Sequence, residues 1–140
     1  MESIRTVDSE LSVRLDPSAA EPIPLSMKLQ YATHDPYAVH AAFYPAGPGG
    51  TVKWIFSRDV LIEALTRPAG QGDVRMWPTV SLGRDVLYIA LSSPGGAALF
   101  EAFLPEVESF LLRTLSVVPL GTESERLDMD TELAHLLAES

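Results

Sequence analysis

Two tryptophans and three arginines crowd one stretch of this chain. They are Trp54, Arg58, Arg67, Arg75 and Trp77 in WIFSRDVLIEALTRPAGQGDVRMWP (54–78), and Arg84 follows just beyond. Residues of these types can do two kinds of work. Aromatic rings can stack on unpaired bases while guanidinium groups clamp phosphates. The same residues are enriched at protein–protein interfaces, where a large ring or planar cation fills a pocket in the partner. A third arrangement needs no partner: the tryptophans lie in the core or between subunits, and the arginines pair with Asp59, Glu63 and Asp73 nearby. The chain carries a net charge of −9, and its only lysines are Lys28 and Lys53. Backbone neutralisation by cations, on which nucleic-acid affinity rests, is poorly served by such a balance. We therefore read Trp54, Arg58, Arg67, Arg75 and Trp77 as candidate partner or subunit interface residues.

The residues that do catalytic or metal chemistry do not group. His34, His40 and His135 are too far apart for a local HxxxH or HExxH motif. There is no GxSxG elbow. With no cysteine, thiolate ligands, disulfides and cysteine nucleophiles are all excluded. The Gly-rich runs PAGPGGT and SSPGGAA lack the Lys-Ser/Thr of a phosphate loop, and the first leads into a strand. The second reads as a turn and N-cap, although a helix N-terminus there could hold an anion. Glu106/Glu108 and Asp128/Asp130 are two residues apart, a spacing that puts them on different sides of a helix. The expectation is a protein without catalytic residues, cofactor or metal.

The elements that must position the central stretch follow from periodicity. Residues 7–15, 23–33, 37–44 and 51–56 alternate apolar and polar, the period of half-buried strands, and short turns between them imply an antiparallel meander. Ser57 offers an N-cap and Asp59 suits the first turn of a helix carrying Val60, Leu61, Ala64 and Leu65, which Pro68 ends. Ala69–Gly72 reads as a turn, Asp73–Val80 as a fifth strand and Val86–Leu91 as a sixth. The last is apolar on both parities and so is expected to be covered on both faces. Ser93-Pro94 reads as N-cap and N1 of a helix bearing Phe100, Phe103 and Leu104. Pro105 opens another, striped by Val107, Phe110, Leu111 and Leu115. Thr122–Glu125 fits a capping box for a final helix, with Met129, Leu133, Leu136 and Leu137 on one face.

This order predicts an α+β fold of about six antiparallel strands, with a mid-chain helix and helices at the C-terminal end. A repeated strands-then-helix unit divides near residue 68. The length of 140 residues suits one domain, here 1–121, with 122–140 as an acidic helix belonging to it or appended to it. Those last residues hold six acids and one base, so −5 of the total charge lies there and −4 in the rest. The N-terminal residues intersperse acids and lack an apolar core, unlike a secretory signal. VLYIAL (86–91), the most apolar run, is far shorter than the ~20 residues that cross a bilayer. A soluble cytoplasmic protein is expected.

The segments DPYAVHAAFY (35–44), WIFSRDVLIEALTRPAGQGDVRMWP (54–78) and LSSPGGAALFEAFLPEVESFLLRT (91–114) resemble the SsgA-like sporulation and cell-division proteins of actinobacteria. The resemblance covers residues 7–116, and its most specific part runs from Trp54 through Arg67-Pro68-Ala69-Gly70 to Arg75 and Trp77-Pro78. It implies two meander-like units of the kind seen in the whirly proteins, which bind single-stranded DNA or guide RNA. It further implies a homotrimer without catalysis or cofactor, acting at the division septum. There it would mark septum sites and recruit the tubulin-like GTPase FtsZ alongside other SsgA-like proteins, meeting the membrane only through those partners. The alternative from another class is a single-stranded nucleic-acid-binding protein on the same fold. Fold does not carry function, so the likeness to whirly proteins imports no nucleic-acid binding.

Overall fold

The structure is a computed structural model and describes residues 4–45, 50–127 and 136–137. Four strands open the chain: β1 (Thr6–Leu15), β2 (Ile23–Ala32), β3 (Asp35–Pro45) and β4 (Val52–Ser57). Helix α1 (Arg58–Glu63) follows. The second half repeats the plan with β5 (Ala69–Gln71), β6 (Val74–Ser81), β7 (Arg84–Ser93), β8 (Gly96–Phe103) and α2 (Leu104–Val117). The α+β class and the division near residue 68 are as the periodicity predicts.

All eight strands form one antiparallel sheet in the order β4-β3-β2-β1-β8-β7-β6-β5. The two meanders join where β1 meets β8, over only Val13–Leu15 against Phe100–Ala102. One face gathers the core: Leu11 and Val13, Met27 and Leu29, Val39 and Ala41, Met76, Leu87 and Ile89, and Ala102 are all buried. Both helices contribute to this core, α1 through Leu61 and α2 through Val107, Phe110 and Leu111. The sheet must curl around that face. Phe43 on β3 and Phe100 on β8 stack with ring centroids 4.2 Å apart, although β2 and β1 lie between their strands. Strand spacing alone would hold those backbones roughly 14 Å apart in a flat sheet.

Three elements differ from the expectation. The helix predicted from Ser93-Pro94 is the β7–β8 hairpin. Ser93 pairs with Gly96, whose φ is 144°, and the Ser93 hydroxyl donates to Gly96 O at 3.3 Å. The following residues read as a strand once the turn is granted, because Ala98, Phe100 and Ala102 share a parity. Ala69–Gln71, read as a turn, is a short edge strand on β6. Helix α1 is a six-residue element capped at Ala64, shorter than the stripe through Leu65 implies. Ser57 does cap it, its side chain accepting from Val60 N. The strand predicted to be covered on both sides, β7, is so at Val86 and Leu87, adjacent residues of opposite parity that are both buried.

Pro105 lies in the first turn of α2, as its missing N–H requires. After α2 the chain turns at Gly121 and a short helical stretch covers 123–127. Here Thr122 donates its hydroxyl to Pro119 O, and the carboxylate that reaches back is Glu123, accepting from Gly121 N at 3.1 Å. Met129, Leu133, His135 and the Asp128/Asp130 pair lie outside the described residues. Leu136 and Leu137 are exposed.

Candidate functional site

The five interface candidates of the central stretch do not form one cluster. Trp54 on β4 faces the core side and is half-buried against it. Trp77 on β6 faces the other side, edge-on to Tyr88 of β7 at 5.7 Å between centroids. A sheet residue faces one side only, so the two tryptophans make no common platform for stacked bases. Arg67 is exposed beyond α1 and pairs with Glu63 at 3.2 Å, one turn back.

Arg58 is inside the protein, 1% exposed. As the first residue of α1 it points toward the end of α2, where the last carbonyls of a helix lack intrahelical donors. Its Nη1 donates to Thr114 O at 3.3 Å and to Val118 O at 2.8 Å, and its Nη2 to Glu123 Oε1 at 2.7 Å. The guanidinium carbon lies 4.9 Å from the centroid of the Tyr31 ring, whose hydroxyl donates to Pro36 O at 2.8 Å. Burial pushes the Tyr31 hydroxyl up to about 12, with the nearby Arg58 charge opposing that rise. Burial also acts to raise the Glu123 carboxyl, but backbone amides and the Arg58 guanidinium outweigh it and hold it below its ordinary range. Arg126 adds a second tie, donating to Thr33 Oγ1 at 3.2 Å beside the β2–β3 turn. Arg58 is thus spent on fastening α1, α2 and the residues after α2 together. The expected pairing with Asp59 is replaced by Glu123, which the sequence presents only as one acid among many.

Arg75 and Trp77 do come together, two residues apart on the outer face of β6. Strand register extends this surface across β7 and β8. Trp77 pairs with Tyr88 and Tyr88 with Glu101; Arg75 pairs with Ala90; Val86 pairs with Phe103. Glu101 continues the row to Arg14 on β1, whose Nη2 lies 2.9 and 2.8 Å from the two carboxylate oxygens. Arg84 lies over the Phe103 ring at 4.2 Å. The outcome is a contiguous outer surface of rings and guanidinium groups. Glu101 is buried and neutralised at its centre, while Arg75 is exposed and takes part in no ion pair among the described residues. Sequence reading noted Arg84 as following the central stretch but missed Tyr88 and Phe103 as members. Tyr88 and Phe103 read there only as apolar residues of a strand and a helix.

An apolar groove of about 680 Å³ opens on the inner face at the end of the sheet away from the helices. Phe43, Val52, Trp54, Leu91, Ala98 and Phe100 are among its walls. His40 and Asp35 form an exposed contact at 3.3 Å, and no group of three or more metal-ligating side chains occurs among the described residues. Among those residues no helix is long and apolar enough to cross a membrane.

The class that the fold defines is an antiparallel α+β domain, eight strands in one sheet, and its outer face carries aromatic and arginine side chains. The chain belongs to the SsgA family, described as “Streptomyces sporulation and cell division protein, SsgA”, whose pattern it matches over residues 25–123. It is 53% identical over 135 residues to the sporulation-specific cell division protein SsgB of Streptomyces coelicolor, covering 96% of this chain and 98% of that one. A second SsgB, from Frankia casuarinae, is 42% identical over 132 residues, 94% of this chain and 92% of the relative. Among solved structures, an SsgA-like sporulation-specific cell division protein from Thermobifida fusca superposes with a TM-score of 0.87 at 41% identity. It covers 96% of this chain and 98% of its own. A structure from a study of SsgB mutations and longitudinal cell division in Streptomyces coelicolor gives 0.83 at 50% identity, over 90% and 98%.

Proposed function

We propose that this protein is a non-enzymatic scaffold of sporulation-specific cell division that marks septum sites and recruits FtsZ. It works as a homotrimer at the cytoplasmic side of the division septum and reaches the membrane through its partners. Near-full-length similarity to proteins named sporulation-specific cell division protein SsgB carries this reading. The outer face of β6–β8 supports it with the residue types that dominate binding energy at protein interfaces: Trp77, Tyr88 and Arg75. An acidic protein with this face meets a partner through local ring and guanidinium contacts rather than by long-range attraction.

Co-sedimentation with polymerising FtsZ tests the reading. The wild-type protein is expected to pellet with the polymer and Arg75→Glu to pellet less. A protein that stays in the supernatant and leaves FtsZ polymerisation unchanged would remove the support for recruitment. The trimer is tested by light scattering, where the expected mass is three times the 15.2 kDa of one chain.

A further inference from the structure

Strand β4 ends the sheet on one side, and no strand of the described residues pairs with its outer edge. Backbone N–H groups alternate sides along a strand. Ser57 N donates to the side-chain oxygen of Gln71 at 2.7 Å, and Gln71 ends β5 at the far side of the sheet. The outward rung at Ser57 is therefore satisfied by a side-chain carbonyl standing where a neighbouring strand's carbonyl would be. Counting back by two, Ile55 and Lys53 present their N–H and C=O groups to the same edge. β5 has only three residues and supplies no strand for those rungs.

The side chains between these rungs, Trp54 and Val52, form a wall of the apolar groove. An added strand continuing the ladder from Gln71 would carry every second side chain into that groove. Charge selects its flanks. Among the described residues no Lys or Arg lines the groove; Lys53, between Val52 and Trp54, has the opposite parity on β4, and the segments next to the lining residues carry Asp16, Glu21 and Asp73. Asp73 is held there by its carbonyl, which accepts from Ser92 N at 3.0 Å.

We propose that the β4 edge and the groove together receive an extended segment of a partner protein, apolar at alternate positions and basic at its ends, which pairs as an additional strand on β4. Main-chain rungs at Ile55 and Lys53 supply register, and the groove selects the alternating side chains. Lys53 and the twist of a short strand would keep such an edge from pairing indiscriminately.

The experiment uses the full chain with Trp77→Phe, leaving Trp54 as the single tryptophan. Ten-residue peptides with alternating valine and threonine and two lysines at each end are titrated while Trp54 emission is followed. Saturable change is expected. Methylating the peptide's alternate backbone amides should weaken binding about tenfold, the scale of one or two lost hydrogen bonds. Replacing the terminal lysines by glutamates should weaken it by a similar factor. Hydrogen exchange at Ile55 and Lys53 should slow on binding. Val52→Glu, at a site 48% exposed and so tolerant of change, should abolish the response without altering the melting curve.

No response of Trp54 and no slowing at Ile55 and Lys53 would overturn the proposal. Equal binding of methylated peptides would reduce the site to an apolar pocket, which also overturns it. Protection of those amides that rises with protein concentration alone, and is lost in Val52→Glu, would assign the edge to a second copy of this chain instead.

Discussion

Arg58 and Glu123 are 65 residues apart in sequence and 2.7 Å apart in the fold, sealed from water at the junction of α1 with the end of α2. A buried charge is tolerable only when paired and hydrogen-bonded. Every polar contact described for the Nη atoms of Arg58 is to a carbonyl or carboxylate oxygen within this junction.

Arg58→Met leaves Glu123 buried without its cation and is expected to lower stability by about 3–5 kcal/mol. Arg58→Met with Glu123→Leu is expected to recover part of that loss, because two apolar side chains replace a pair that had to be desolvated. Urea unfolding at neutral pH measures both. A truncation after Gly121 removes Glu123 and should resemble the Arg58 single variant; unchanged melting would mean that the residues from 122 onward do not hold the domain together.

The same junction gives stability a pH dependence at both extremes. The folded-state pKa of Glu123 is depressed, so its contribution is complete above the ordinary value of 4.5 and is lost as pH falls through the lower folded value. Tyr31 is the opposite case in sign. Its folded value of about 12 exceeds the ordinary 10.0, so its contribution is complete below 10 and is lost as pH rises through 12. Urea midpoints measured against pH should show both declines. Glu123→Gln should flatten the acid decline, and Tyr31→Phe the alkaline one.

Gly96 turns the β7–β8 hairpin at φ 144°, in a region L-residues rarely enter. Gly96→Ala is expected to cost roughly 1–3 kcal/mol through backbone strain, although an added Cβ meets no atom within 4 Å. Gly50→Ala, equally open in space and free of that φ, should change stability by less than about 0.5 kcal/mol. Thermal melts of the two variants separate strain from crowding.

Trp77→Ala uncovers the Tyr88 edge but leaves the inner core untouched, and is expected to cost about 1 kcal/mol of stability. Its larger expected effect is on association: weaker pelleting with FtsZ, in line with Arg75→Glu. Normal pelleting of both variants would move the interface elsewhere on the molecule.

Most strands were legible because their residues alternate, and α2 because Val107, Phe110 and Leu111 recur at helical spacing behind Pro105. The β7–β8 hairpin was not. Ser93-Pro94 satisfies the local chemistry of a helix start, and only the pairing of β8 with both β7 and β1 draws the following residues into extended form. Tertiary pairing overrides a weak local preference. The candidate site was half legible. Arg75 and Trp77 share parity on one strand, so their common face follows from spacing, whereas Tyr88, Glu101 and Arg14 reach that face through register between strands distant in sequence.

What the sequence determined by itself is whatever depends on near neighbours: strand parity, the Ser57 cap, the excess of acid and the family pattern carried by residues 54–78; the helix that Pro68 was expected to end stops earlier, at Glu63. Only the tertiary structure decided which arginine is buried and which is exposed. Arg58 and Arg75 have similar surroundings along the chain, each within two residues of an aspartate. Their fates differ because Arg58 begins a helix that meets the C-terminal end of α2, where it finds Thr114 O, the cap carbonyl of Val118 and Glu123, while Arg75 lies on the outer face of a sheet curled away from it. Long-range desolvation and pairing set that difference, and neither is written in local spacing.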